Sequence, residues 1–263
     1  SQSYISVATT NATGIMPNND YDRYNFSFRN TTNFLNNKFI LDTSANYIIQ
    51  NDKNMVSQGQ YFNPLTSLYL FPRGEDFSDV AVYERYDDLS GVNTQYWPYG
   101  DLGGVSSQNP YWIMNRMNRE NDRRRYKLAA SLQYNIIEGL NVQGRVSIDN
   151  TESKYTEKFH AGTVGNFAGP KGRYKEENRL DRQVYADVLA NFNKTFNEFN
   201  VTANLGASIK DLRMELTSLH GDLNNVTNHF TIENLTRSGY YKVNADGLKR
   251  QTQSVFANAE IGW

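Results

Sequence analysis

The chemistry-bearing side chains of this chain gather in one long non-periodic stretch. Tyr96-Trp97-Pro98-Tyr99-Gly100 is followed by Asp101, Gln108 and Asn109, and then by Trp112. Flat aromatic faces stack on sugar rings or on peptide side chains, and the neighbouring amides and carboxylate can orient a polar solute. Tyr96, Trp97, Tyr99 and Trp112 are therefore the candidate solute-binding residues. The same aromatics also have an architectural use, packing the loop against itself or against a partner, and the sequence leans towards that use.

Other groups suggest less. His160, His220 and His229 all fall in predicted loops without the paired spacing that a metal or a general base requires. Glu84 and Asp87-Asp88 form an acidic loop without the regular ligand order of a calcium site. Gly162, Gly165, Gly169 and Gly172, with Pro170, do not run from a strand into a helix, so they make no phosphate cradle. No nucleophile elbow links Ser, His and Asp. Asn-x-Ser/Thr triplets such as Asn25-Phe26-Ser27 and Asn200-Val201-Thr202 fall within predicted strands and do not imply glycosylation. The expectation is no catalytic residue, no metal and no cofactor.

What positions that aromatic loop is a set of long alternating strands. Tyr126, Leu128, Ala130, Leu132, Tyr134 and Ile136 share one face, with Lys127, Ser131, Gln133 and Asn135 on the other. A two-residue period means an extended strand with one apolar and one wet face. After Glu138-Gly139 the pattern returns in Leu140, Val142, Gly144, Val146 and Ile148. About eight strands read this way: Ser3 to Thr9, Tyr21 to Phe34, Lys38 to Ile49, Tyr126 to Ile136, Leu140 to Asp149, Arg182 to Phe196, Phe199 to Lys210 and a last one from Val255 to Trp263. Runs of this length match the roughly 9–11 residues that a tilted strand needs to cross a bilayer.

Connection lengths add a second signal. Asn36-Asn37, Glu138-Gly139 and Asn197-Glu198 are hairpin turns. They alternate with long links at Thr10 to Asp20, Gln50 to Asn121, Thr156 to Asn178 and Gly221 to Leu248. Membrane barrels sort short and long connections to opposite ends in this way. The apolar faces carry no charge except Lys194, beside a turn, whereas Asp42, Arg145, Asp149 and Asp187 all point inward. Arg123-Arg124-Arg125 marks the solvated top of a strand.

Composition agrees with this reading. The 263 residues are 38% hydrophobic and 13% aromatic with mean hydropathy -0.69, which suits strands with only alternate residues facing lipid. No apolar run is long enough for a helical span. A net charge of -1 gives no reason to expect nucleic acid, and the absence of cysteine removes disulfides and thiolate chemistry. The chain lacks a signal peptide, and both of its ends look cut from something longer.

Four stretches resemble the SusC/RagA-like TonB-dependent outer-membrane transporters of Bacteroidetes. They are Gly14-Ile15 with Asp20-Tyr21-Asp22-Arg23-Tyr24-Asn25; Phe71-Pro72-Arg73-Gly74-Glu75-Asp76; Asn109-Pro110-Tyr111-Trp112 with Asn118-Arg119-Glu120-Asn121-Asp122-Arg123; and Val255-Phe256-Ala257-Asn258-Ala259. The resemblance implies an all-β fold, a portion of a transmembrane antiparallel barrel over residues 1–263, with an extracellular loop at 50–121. It also implies import across the bacterial outer membrane of oligosaccharides or oligopeptides. The implied partners are a SusD-like surface lipoprotein over the mouth, the bilayer, and a TonB complex engaged through a plug and TonB box absent from this chain. Two other readings stand beside it: a small self-contained eight-strand barrel serving as an adhesin or structural protein, and a soluble glycan-binding β-protein.

Overall fold

In a computed structural model, residues 1–55, 61–99, 101–102, 105–237 and 241–263 are described. The elements in chain order are β1 (Gln2–Thr13), β2 (Asp20–Phe34), β3 (Phe39–Lys53), α1 (Pro64–Leu70), a 3-10 turn (Phe77–Ala81), β4 (Glu84–Asp87), β5 (Val92–Gln95), β6 (Asp101–Leu102), β7 (Val105–Ser106), α2 (Pro110–Arg116), β8 (Met117–Ile137), β9 (Leu140–Phe159), β10 (Arg173–Phe196), β11 (Phe199–Asp222), a second 3-10 turn (Ile232–Asn234) and β12 (Tyr241–Gly262). Strands β1, β2, β3 and β8 to β12 form one antiparallel sheet in that order, each hydrogen-bonded to its sequence neighbour within the sheet.

Antiparallel register partners share a face, so the ladder sorts every side chain. One face carries Phe28, Ala45, Leu128, Ile148 and Val184 in one row across β2, β3, β8, β9 and β10. Two residues further down, Ala130, Val146, Ala186 and Ile209 form the next row from β8 to β11. Among the described residues none of these side chains joins a buried cluster: Leu128 is 46% exposed and Val146 is 47% exposed. Along β8 the stripe from Tyr126 to Ile136 runs about 35 Å at 3.3 Å or so per residue. Tilted at about 45°, such a strand covers roughly 25 Å, the height of a barrel's apolar band.

Aromatics border the band. Phe34, Phe39 and Tyr134 stack in sequence at its short-turn edge, with centroid separations of 5.3 and 4.6 Å. Tyr47 and Tyr126 pair across β3 and β8 at the other edge. Lys194 lies at the short-turn margin, its ammonium 5.5 Å from the Phe196 ring. Among the described residues, no helix is long and apolar enough to cross a membrane.

The strands are much longer than their alternating segments. β8 has 21 residues, β10 and β11 have 24 each, and β12 has 22. Sequence periodicity places β8, β9, β10, β11 and β12 only over their apolar halves and leaves the rest as loop. Pairing continues beyond the band, where neither face is uniformly apolar and alternation no longer marks the strand. His220 accordingly sits in β11, not in a loop. Connections shrink to 14–19, 54–116, 160–172 and 223–240 at one end. At the other end, Glu138-Gly139 and Asn197-Glu198 are two-residue turns, with Gly139 at φ 83° and Asn197 at φ 52°. The β2–β3 turn is wider than Asn36-Asn37 alone, with left-handed Leu35, Asn36 and Asn37.

The eight-stranded sheet does not close. Among the described residues β1 and β12 are edges that do not pair with each other, which departs from a self-contained eight-strand barrel.

Candidate functional site

The inner face is built from charge and hydrogen bonds. Its central row runs Thr31, Asp42, Ser131, Arg145, Asp187, Ser208 and Ser254 across β2, β3 and β8 to β12. Arg145 donates from Nε to Asp187 Oδ1 at 2.9 Å and from its terminal nitrogen to Oδ2 at 2.7 Å, and the Tyr185 hydroxyl adds a bond of 2.6 Å. Arg125 binds Asp149 in the same two-pronged way. Asp42 is held by Arg29 and the Thr31 hydroxyl.

Towards the long-loop end this wall carries a folded cap. The described residues of segment 54–116 carry short helices and hairpins of their own. Asn63 caps α1 by accepting from the Leu65 N–H, with Pro64 opening the helix. Asn109 caps α2 and is fully buried. Its Oδ1 accepts from the Tyr111 N–H, and its Nδ2 donates to the Val80 and Tyr96 carbonyls at 2.9 and 3.1 Å. One side chain thus ties α2, the first 3-10 turn and the end of the β4–β5 hairpin together.

Below Asn109, Trp112, Ile113, Met117, Phe159 and Ala168 form a buried cluster with Phe62 and Tyr83 packed against it. Met117 and Phe159 are register partners on the inner face of β8 and β9. The cap core therefore rests on the inner side of the strand tops. A second cluster of Tyr174, Leu223 and Leu235, with Leu219, Phe230 and Tyr241, draws Tyr174, Leu219 and Tyr241 from the opposite face. Segment 160–172 links the two: Thr163 accepts from the Trp112 indole at 3.0 Å, while the Ala161 N–H donates to Asn228 Oδ1 at 2.7 Å.

Charge fastens the cap as well. Arg116 grips Glu84 through two bonds of 2.7 and 2.9 Å. That contact holds the Glu84 carboxyl below its usual range and raises Arg116. Burial, and then the nearby Arg116 cation, push His160 down to about 4. Its ring lies 4.9 Å from that of Phe230.

The four aromatic candidates separate. Trp97 and Tyr99 meet edge-on at 5.0 Å, and Tyr99 continues to Phe71 at 4.9 Å. The Trp97 indole donates to Ser107 Oγ at 2.8 Å. Tyr96 lies beneath the Arg85 guanidinium, 3.3 Å from its carbon to the ring centroid. These three are half-buried and keep part of their surface exposed. Trp112 is apart from them and completely enclosed, so both of its faces are taken by the cap core. Gly100 lies outside the described residues. Gln108 and Asn109 are buried and bind backbone carbonyls of the cap instead of facing solvent.

Under the cap lies a chamber of about 480 Å³ that no motif announced. One register row supplies Arg119, Glu157, Lys175 and His220 from β8, β9, β10 and β11. Arg173 and Phe159 come from the row above, and Tyr155 and Asp52 from the row below. Arg119 sits 3.6 Å from Glu157, with the Phe62 and Phe159 rings 4.7 and 5.1 Å from its guanidinium. Lys175 lies 5.2 Å from the Tyr155 ring centroid and 3.1 Å from Glu177. Arg173 binds Asp222 at 2.9 Å. The lining thus offers fixed cations and anions beside aromatic faces, a surface for a solute bearing both signs of charge. Tyr155, Glu157 and Phe159 continue the two-residue phase of Thr151 and Ser153; that phase was the one available signal.

No protein-family model matches this sequence, and no curated protein matches it. Solved structures do. The RagAB peptide importer in its open-open state superposes at TM-score 0.71 and 14% identity, covering 99% of this chain and 28% of that one. The siderophore receptor PiuA of Acinetobacter baumannii gives 0.54 at 10% identity, over 98% and 36% of the two chains. The ferric-catecholate import receptor Fiu of E. coli K12 gives 0.53 at 9%, over 98% and 34%. The chain therefore spans about a third or less of the length of these proteins. What it shares with them is the fold: an arc of antiparallel β-barrel wall.

Proposed function

We propose that this chain forms part of the wall and the extracellular cap of an outer-membrane TonB-dependent transporter that imports oligopeptides or oligosaccharides. In this reading residues 1–263 are barrel wall, the region 50–121 is its long extracellular loop, and further strands of the same transporter complete the circle. A SusD-like lipoprotein covers the mouth, and a TonB complex supplies energy through parts outside this chain. The protein moves a solute and transforms none.

One observation carries the reading. A single register puts an unpartnered apolar band with aromatic borders on one face, and ion pairs roofed by a folded cap on the other. A soluble β-protein would have no use for the first face. Among solutes, oligopeptides suit the chamber best, because their charged termini and side chains can join the Arg119–Glu157, Arg173–Asp222 and Lys175–Glu177 pairs, whereas a neutral glycan can add hydrogen bonds alone. Within the cap, Tyr96, Trp97 and Tyr99 are the candidate contacts for entering solute.

Uptake measurements test this directly. Cells carrying the native protein and its lipoprotein partner are expected to accumulate labelled oligopeptides, and cells lacking it are not. Recovery of the protein in the soluble fraction, or equal accumulation in both strains, would overturn the assignment.

A further inference from the structure

The inner face changes character below the Arg145–Asp187 pair. One row towards the short turns, Gln133 partners Gln143, and the row continues through Leu189, Gly206 and Phe256. The next row is Asn135, Asn141, Asn191, Asn204 and Asn258, one asparagine from each of β8 to β12, each the register partner of the next. From β8 to β12 below Arg145 and Asp187, Glu260 is the lone charged inner-face residue among the described strand positions.

The row is partly tied to itself. Asn191 donates to Asn141 Oδ1, Gln133 to Asn135 Oδ1 and Asn135 to the Asn37 carbonyl, each at 2.8 Å. A carboxamide has two donor hydrogens and two acceptor lone pairs. These bonds use a fraction of that capacity, and the side chains are half-exposed or exposed on the inner side. Neighbouring strands lie about 4.8 Å apart, so the wall offers a closely spaced series of uncharged groups that each donate and accept.

We propose that the Asn135–Asn141–Asn191–Asn204–Asn258 row is a second contact site for the imported solute, binding the backbone amides of an oligopeptide after it leaves the charged chamber. This rests on the transporter reading above. A carboxamide matches a peptide group on both its N–H and its C=O. Because it is uncharged, the contact exchanges readily with water and does not trap a solute of either sign.

The test uses the native full-length transporter and two probes, an oligopeptide and its analogue with one backbone amide replaced by an ester, which lacks the N–H. The variant Asn141→Leu/Asn191→Leu is expected to raise KM for the peptide about 2- to 10-fold for each hydrogen bond removed. It is also expected to abolish the disadvantage of the ester analogue seen in the unaltered protein. Asn141→Ser/Asn191→Ser repeats the test with small polar side chains if the leucine variant fails to assemble. Unchanged KM with the ester penalty retained would show that the row only knits strands together, and would overturn the proposal. An equal loss for a neutral oligosaccharide would overturn its assignment to peptide groups. Absence of peptide uptake by the unaltered protein would instead defeat the transporter reading itself.

Discussion

Arg145 and Asp187 face each other across β9 and β10, joined by two bonds of 2.9 and 2.7 Å, with the Asp187 side chain fully enclosed and the Arg145 side chain 47% exposed. Removing the cation leaves a buried charge unpaired. Arg145→Met should therefore destabilise the wall by about 3 kcal/mol, the lower part of the range for a broken buried pair, since Arg145 is half in water. Arg145→Met/Asp187→Leu should recover most of that loss. Urea unfolding in lipid vesicles would show it; equal stability of the single variant and the parent would contradict the enclosed geometry.

The two faces can be told apart by one charge moved one residue. Leu132→Arg puts a cation on the apolar band, at a cost of about 2–4 kcal/mol near the bilayer midplane. Gln133→Arg puts it on the inner face, beside Ile40 and Gln143. Membrane assembly should fail or slow for the first and persist for the second. Heat-dependent gel mobility reads the difference.

Trp112 and Trp97 predict opposite outcomes although both lie in the cap. Trp112→Ala empties an enclosed site and strands the Thr163 hydroxyl, costing the cap about 3–5 kcal/mol. Limited proteolysis should then cut within 54–116. Trp97→Ala should leave the cap resistant, because its side chain is half-exposed at the edge of the aromatic chain. A change in uptake without a change in proteolysis would mark Trp97 as a solute contact.

Acid should loosen the cap in two steps of the same sign. His160 titrates near 4 when folded and near 6.5 when free, so the unfolded cap takes up the proton first. Above 6.5 both states are neutral and nothing is lost; stability falls as pH drops from 6.5 towards 4. Glu84, held below 4.5 by Arg116, contributes stability above its free value that is lost only as pH falls further, through its folded value. Protease accessibility of the cap measured across this range should rise on acidification. His160→Gln should flatten the upper part of the curve and Glu84→Gln the lower part.

How much of the molecule is legible in its sequence differs along each strand. Between Tyr126 and Ile136 one face of the strand is apolar and the other polar, and that difference writes itself into every second residue. The same holds from Val184 to Phe192 and from Val201 to Ile209. Beyond Tyr126, at Arg123, Arg124 and Arg125, both faces are wet and the alternation ends although the ladder continues to Met117. Those upper strands therefore look like loop in the sequence, and the chamber residues Arg119, Glu157, Arg173 and Lys175 go unmarked with them.

The sequence alone determined the kind of wall: long antiparallel strands, one face apolar, short turns at one end and long links at the other. These are local properties, set by neighbours two residues apart and by turn-forming Asn and Gly. Only the tertiary structure decided which residues meet across strands. Register brings Arg119 to Glu157 and lines up five asparagines from five strands, and it seats Trp112 in a closed core while leaving Trp97 at an edge. Such pairings join positions tens of residues apart, and no periodicity within a single strand encodes the partner it will find.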